Sequence, residues 1–201
     1  FPKLAAINIH GSLLPKYRGR TPHIWAIINN EKYTGITIHF INESCDAGDI
    51  IEQERIEIGY EDTGADVLMK FSEKYYSLIA KVLRKIENKT LSTKKQNNRL
   101  ATYFGKRSPE DGKINWNWQK ERIYNWIRAL ANPYPGAFTY YNDEKIIIDK
   151  ISFDDLGYEE TMRNGLILTI DPIRVKTPNG VIKVESLRNK HSFIDILEYF
   201  E

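Results

Sequence analysis

An α/β domain followed by a small antiparallel β domain is the fold class this sequence predicts, on three observations. Strand and helix signals alternate through the first forty residues, from the run at 4–10 (LAAINIH) to Gly35–Phe40. A long amphipathic helix pattern follows. The carboxyl-terminal part then breaks into short β-rich runs separated by Asn-Asp and Asn-Gly pairs, the residue types that tight hairpin turns require. At 201 residues, 41% hydrophobic and 28% charged, the chain can bury a real core, and its length suits one domain plus a smaller appendage.

The first strand closes with Asn8-Ile9-His10. Thr21-Pro22 can begin a helix through Ile28, because proline suits a first helical turn and Asn29-Asn30 suits its end. Gly35 to Phe40 reads as the next strand. Asp62 or Thr63 can cap a long helix in which Val67, Phe71, Tyr75, Leu78, Val82 and Ile86 share one apolar face, a core stripe that ends near Asn88. A second helix near Lys120 to Leu130 presents Ile123, Ile127 and Leu130 on one side, and Pro133 and Pro135 forbid its continuation. Strands around Phe138–Tyr141 and Lys145–Ile151 can pair through Asn142-Asp143, and Asn164-Gly165 and Asn179-Gly180 predict tight turns between further strands. These boundaries divide the chain into residues 1–105 and 106–201, the second holding a linker helix and an OB-like β domain.

Asn8, His10 and Asp46 carry the chemistry. Two-residue spacing puts Asn8 and His10 on one face at the carboxyl end of their strand, where open α/β sheets bind ligands. An amine attacking a carbonyl builds negative charge on oxygen and positive charge on nitrogen. Asn8 can donate to the oxygen, His10 can take a proton, and a carboxylate such as Asp46 can set the His10 tautomer and favour its charged form. Each residue alone also fits a plain structural role: a capped strand end, a half-buried ring, a turn before Gly48. The combination points to acyl transfer to an amine. Direct transfer is the simpler mechanism, since Ser12 has no evident activating partner and Asp46 disfavours a Cys45 thiolate.

The segment Asn8-Ile9-His10-Gly11-Ser12-Leu13-Leu14-Pro15-Lys16-Tyr17-Arg18-Gly19-Arg20, with Thr34-Gly35-Ile36-Thr37-Ile38-His39 and Asp46-Ala47-Gly48-Asp49-Ile50-Ile51, resembles the catalytic segment of the folate-dependent formyltransferases. The likeness runs on through Asp111-Gly112-Lys113-Ile114-Asn115-Trp116 and Ile127-Arg128-Ala129-Leu130 to Pro133-Tyr134-Pro135-Gly136-Ala137-Phe138, and it weakens but persists beyond. It implies the later part of a doubly wound, Rossmann-like domain. It also implies 10-formyltetrahydrofolate as donor, with tetrahydrofolate as product. Asn8 and His10 would bind the formyl oxygen and assist proton transfer, and Asp46 would hold His10 charged and oriented. Ser12, Leu13, Leu14 and Pro15, with Asn42, Glu43, Ser44 and Cys45, would line the folate pocket through backbone and apolar contact. Arg20 would stand at the cofactor site, and Arg128 is either a solvated helix residue or a partner of substrate phosphate. Family members carry about a hundred residues ahead of the Asn-x-His strand, within the usual size of one domain. Starting at Phe1, the chain reads as the later part of a longer enzyme.

Among acceptors, the amino group of a nucleotide-linked sugar, such as a dTDP-sugar of lipopolysaccharide or capsule synthesis, fits best, on Arg20-Thr21-Pro22-His23-Ile24-Trp25 and the Pro-Tyr-Pro-Gly-Ala-Phe run. Methionine on initiator tRNA is the alternative, and glycinamide ribonucleotide fits poorly because the purine-pathway relatives lack that run. A noncatalytic binding or dimerisation module is the reading from another class.

Composition narrows the partners. The formal charge of +2 is near balance. Lys89, Lys94, Lys95, Arg99, Lys106 and Arg107 form a basic stretch that could meet RNA phosphates, but without an aromatic-interleaved motif it reads as a solvated connector. No apolar run approaches the roughly eighteen residues of a membrane span. The single cysteine excludes an internal disulfide, provides no metal-type spacing and fits a reducing cytoplasm. Tyrosine- and isoleucine-rich carboxyl-terminal strands could form a homodimer face.

Overall fold

The computed structural model describes residues 6–189, 195 and 197–200. Leu4 and Ala5, the start of the predicted first strand, lie outside the described residues, and β1 is seen as Ile7–His10. The chain divides into two units, one of residues 1–26, 31–62 and 66–107 and the other of residues 27–30, 63–65 and 108–201.

The first unit holds a three-stranded sheet in the order β1-β3-β4, with β3 at Tyr33–Phe40 and β4 at Ile50–Glu57. Both pairings are antiparallel, so the parallel strands of a doubly wound sheet are not among the described residues. Six successive residues of β3 are buried, because it is the central strand and both its faces are covered. Helix α1 spans Pro22–Ile28, and Asn30 in left-handed backbone follows it, the termination expected from Asn29-Asn30. Helix α2 spans Gly64–Glu87 and buries Val67, Phe71, Leu78 and Val82 of the expected stripe, while Tyr75 and Ile86 are only half-buried. Burying a side chain such as Phe71 stabilises by about 2–3 kcal/mol. The helix ends at a left-handed Lys89.

Strand β4 is absent from the sequence reading for a physical reason: Glu52, Gln53, Glu54 and Arg55 interrupt its apolar pattern. Those polar groups are used. Glu52 accepts from Lys85 at 2.6 Å and faces Lys81 at 3.2 Å on α2, and Gln53 Nε2 donates to the Leu14 carbonyl in the loop after β1. Helix α2 ends beside Asn88, and the first unit continues past it to Arg107. A two-residue strand β5 (Tyr103–Phe104) pairs in parallel with β2 (Arg18–Gly19), which makes the expected solvated connector a strap bound to the rest of its unit.

In the second unit, α3 (Lys120–Leu130) buries Ile123, Ile127 and Leu130 and packs against a five-stranded antiparallel sheet, ordered β6-β7-β10-β9-β8. Strands β6 (Ala137–Tyr141) and β7 (Glu144–Asp154) join through Asn142 and Asp143, both left-handed, the geometry of a two-residue hairpin. Strands β8 (Ile167–Ile170), β9 (Ile173–Thr177) and β10 (Gly180–Leu187) complete the sheet, with Pro178-Asn179 between β9 and β10. The expected turn at Asn164-Gly165 lies between β7 and β8, with the Leu166 N–H donating to the Arg163 carbonyl at 3.4 Å and Gly165 in left-handed backbone at φ 86°. Gly165 also donates its N–H to the Lys176 carbonyl and accepts from Phe200, and a Cβ there would lie 2.7 Å from the Phe200 carbonyl oxygen, so the glycine serves close backbone approach as well as the turn. Strands β8 and β9 turn through Asp171-Pro172.

Candidate active site

Antiparallel register builds the site. Asn8 lies opposite His39 and His10 opposite Thr37, so four polar side chains share one face of β1 and β3. Asp46 reaches them from the loop between β3 and β4. Its backbone is left-handed, with φ 48°, and Gly48 two residues on has no room for a side chain, since a Cβ would sit 1.8 Å from the Phe40 carbonyl oxygen.

Asn8, His10 and Asp46 are brought together. The Asp46 carboxylate lies 3.5 Å from His10 Nδ1 and 3.7 Å from His39 Nε2, and it accepts from Asn8 Nδ2 at 3.4 Å and from the Gly19 N–H at 2.9 Å. Burial pushes this carboxyl up. The Gly19 N–H, His10, the Cys45 thiol and His39 outweigh burial and hold it below the usual aspartate range, so Asp46 is ionised.

Hydrogen-bond roles follow from which atoms can only accept. The Tyr17 carbonyl lies 2.8 Å from His10 Nε2, so that nitrogen carries a proton and Nδ1 is left facing Asp46. The carbonyl of Tyr17, rather than Asp46, therefore sets the tautomer of the neutral ring. Nδ1 is where His10 takes up a further proton, with Asp46 opposite. In the same way His39 Nδ1 donates to the Phe40 carbonyl at 2.8 Å, which leaves Nε2 to accept from Asn8 Nδ2 at 3.3 Å. Burial lowers the His39 pKa against the opposing pull of Phe40 and Asp46, in keeping with this neutral acceptor role. The type and position of His39 in the Thr34–His39 segment do not reveal this role, because only cross-strand register shows that it meets Asn8.

Thr37 orders the loop after β1. Its hydroxyl donates to the Ser12 carbonyl at 2.6 Å and accepts from the Leu14 N–H at 3.2 Å, while Gln53 Nε2 donates both to that hydroxyl and to the Leu14 carbonyl at 2.9 Å. Ser12 and Leu14 are buried, with Ser12 Oγ donating to the Lys16 carbonyl; Leu13 and Pro15 are half-buried, and Asn42, Glu43, Ser44 and Cys45 are exposed. Leu13 also lines a cleft of about 210 Å³ with Lys16, Tyr17, Glu31, Tyr33, Thr34 and Arg55. The Cys45 thiol is raised by burial and by its contact with Asp46, which opposes a nucleophilic thiolate.

The two predicted arginines differ. Arg20 is exposed. Arg128 belongs to the second unit and is buried rather than solvated, donating to Asn125 Oδ1 at 2.9 Å with its guanidinium over the Tyr124 ring. Among the described residues no group of histidine, cysteine and acidic side chains could hold a metal ion, and no helix is long and apolar enough to cross a membrane.

A donor amide, two imidazoles and an ionised carboxylate at the end of an α/β strand form the polar set that acyl transfer requires. Residues 1–83 match the Formyl transferase family and residues 106–200 match the Formyl transferase C-terminal domain, and the chain belongs to this family. It is 38% identical over 185 residues to the bifunctional polymyxin resistance protein ArnA of Wigglesworthia glossinidia brevipalpis, covering 92% of this chain and 28% of that protein. An N-formyltransferase from Helicobacter canadensis, solved with folinic acid and dTDP-3-aminofucose, is similar at a TM-score of 0.67 and 28% identity, over 89% of this chain and 65% of that one. The methionyl-tRNA formyltransferase of Clostridium thermocellum gives 0.63 and 25% over 89% and 70%. The chain thus spans under a third of its ArnA relative and about two thirds of the Helicobacter enzyme.

Proposed function

We propose that the protein of which this chain is part transfers a formyl group from 10-formyltetrahydrofolate to the primary amine of a nucleotide-linked amino sugar, in the synthesis of a cell-surface polysaccharide. The observation that carries this reading is the convergence of Asn8, His10 and Asp46 within hydrogen-bonding reach in a chain 38% identical to ArnA over nearly its whole length. The folate supplies the formyl carbon. Asn8 holds one N–H on His39 and turns the other, which makes only the long 3.4 Å bond to Asp46, onto the formyl oxygen as negative charge develops there. His10 takes the proton released by the attacking amine at Nδ1, the Asp46 carboxylate stabilises the resulting imidazolium, and His10 would return that proton to N10 of the folate as the bond from N10 to the formyl carbon breaks, leaving tetrahydrofolate and a neutral ring. The ordered Ser12–Pro15 backbone and the exposed loop 42–45 flank this group and form the folate contact, with Arg20 at its edge.

Nucleotide-sugar relatives support the sugar as acceptor, and initiator methionyl-tRNA is the second reading because a tRNA enzyme is also similar. The deciding experiment offers the complete natural chain formyl-folate together with dTDP- and UDP-linked amino sugars or with charged initiator tRNA, and identifies products by mass. A formylated sugar nucleotide is expected. Formylation of the tRNA alone would overturn the preferred acceptor.

A further inference from the structure

We infer that Gln96, oriented by the buried Arg18, is a positioning residue for Asp46, and that the strap carrying Gln96 is a working part of the active site. This rests on the reading of Asp46 as a member of that site. Arg18 is 1% exposed, and its guanidinium can only donate. Nε and Nη2 both point at Gln96 Oε1, at 3.2 and 2.6 Å, and further bonds go to Asn98 Oδ1 at 2.8 Å and the Tyr103 hydroxyl at 2.6 Å. The Gln96 amide facing Arg18 must therefore present its oxygen, and its nitrogen is forced the other way. There Nε2 donates to the carbonyls of Asp46 and Gly48, each at 2.8 Å.

These two bonds hold the loop at its strained point. Asp46 has left-handed backbone, a conformation that L-residues adopt at a cost. Clamping the carbonyls at 46 and 48 fixes the direction of the Asp46 side chain between the Gly19 N–H and His10 Nδ1. The strap is seated independently of Gln96: Arg18 N–H donates to the Thr102 carbonyl at 2.9 Å, Tyr17 N–H to Thr102 Oγ1 at 2.8 Å and Arg20 N–H to the Phe104 carbonyl at 3.0 Å. Gly19 permits this approach, since a Cβ there would lie 2.2 Å from the Phe104 carbonyl oxygen. The segment from Lys94 to Phe104, which the sequence presents as a basic connector, thus reaches Asp46 through a neutral amide.

The test uses the complete natural chain and two readouts. Gln96→Met keeps the side-chain length and removes both clamps. Its turnover in formyl transfer should fall about 100-fold, the effect of a reacting group displaced by about 1 Å. KM for formyl-folate should rise by much less than turnover falls, since the clamps meet the carbonyls of Asp46 and Gly48 rather than the folate contact at 42–45 itself. By carbon-detected NMR, which needs no substrate, the Asp46 carboxyl should titrate closer to the ordinary value of 3.8 than in the wild type. Gln96→Glu keeps an acceptor for Arg18 but offers no N–H to the two carbonyls, and it should lose turnover as Gln96→Met does. Wild-type turnover in Gln96→Glu, or an unmoved Asp46 titration in Gln96→Met, overturns the inference. Should Gln96→Met not fold, the double variant Asn98→Ala with Tyr103→Phe, at two exposed positions, takes its place; it should move the Asp46 titration in the same direction, and an unmoved titration overturns the inference. A wild-type chain that formylates nothing sinks the proposed function instead, while the Asp46 titration still judges Gln96.

Discussion

The second unit is built largely from neighbours in sequence, whereas the candidate active site of the first unit is built from residues far apart. Strands β6 and β7, and β9 and β10, are joined by two-residue loops whose Asn and Asp residues announce them. In the first unit, Gln96 reaches Asp46 across 50 positions and Arg18 reaches Tyr103 across 85. Local turn chemistry suffices to set a hairpin register. The role proposed for the Asp46 carboxylate needs direction as well as position, and that direction comes from polar bonds closed only after the chain has folded.

This contrast can be broken hardest at Asp46. Asp46→Asn keeps the shape of the side chain and removes its charge, and turnover should fall about 10⁴-fold, by analogy with triad carboxylates. The thermal midpoint should shift by only a few degrees, because the fold of either unit does not depend on that charge. A variant that retains near-normal turnover would remove the role assigned to Asp46.

Acid should sharpen the comparison next. Three of the four histidines, His10, His23 and His39, lie in the first unit. Burial lowers His23 from 6.5 to about 4, and burial also lowers His39. Both groups bind protons more readily when unfolded, so their contribution is complete above pH 6.5 and is lost progressively as pH falls toward about 4. Asp46, whose folded value is depressed, adds a loss at still lower pH. After allowance for partial exposure, the His23 share is on the order of 2 kcal/mol. Denaturant titrations across this range should show the decline, and His23→Leu should flatten it; an equally steep decline in that variant would assign the sensitivity elsewhere.

The smallest expected effect lies in the second unit. Asp143 occupies a left-handed position with φ 63° in the β6–β7 turn, where glycine is the preferred second residue. Asp143→Gly should stabilise by about 0.5 kcal/mol and raise the thermal midpoint by roughly 2 °C, with turnover unchanged. A lower midpoint would mean that the Asp143 side chain contributes more than its backbone strain costs.

Legibility in the sequence follows the same division. The stripe of α2, the span of α3 and the Asn142-Asp143 hairpin are visible because periodicity and turn residues act over a few positions. Strand β4 is not, because Glu52 and Gln53 are polar for partners on α2 and the loop after β1, and the Asn164-Gly165 turn is legible while the close approach of its glycine to the distant Phe200 carbonyl is not. The catalytic set is legible as residue types. Its hydrogen-bond assignments, which give Tyr17 the His10 tautomer, His39 the Asn8 amide and Gln96 the Asp46 loop, are not.

By itself the sequence determined the family, the helices, the principal hairpins and the identities of Asn8, His10 and Asp46, all written in short-range pattern and motif. Only the tertiary structure decided which atoms donate and which accept around them. A side chain carries its chemistry in its type, but its orientation is chosen by groups such as the Tyr17 carbonyl and the Arg18 guanidinium, which meet it only through folding.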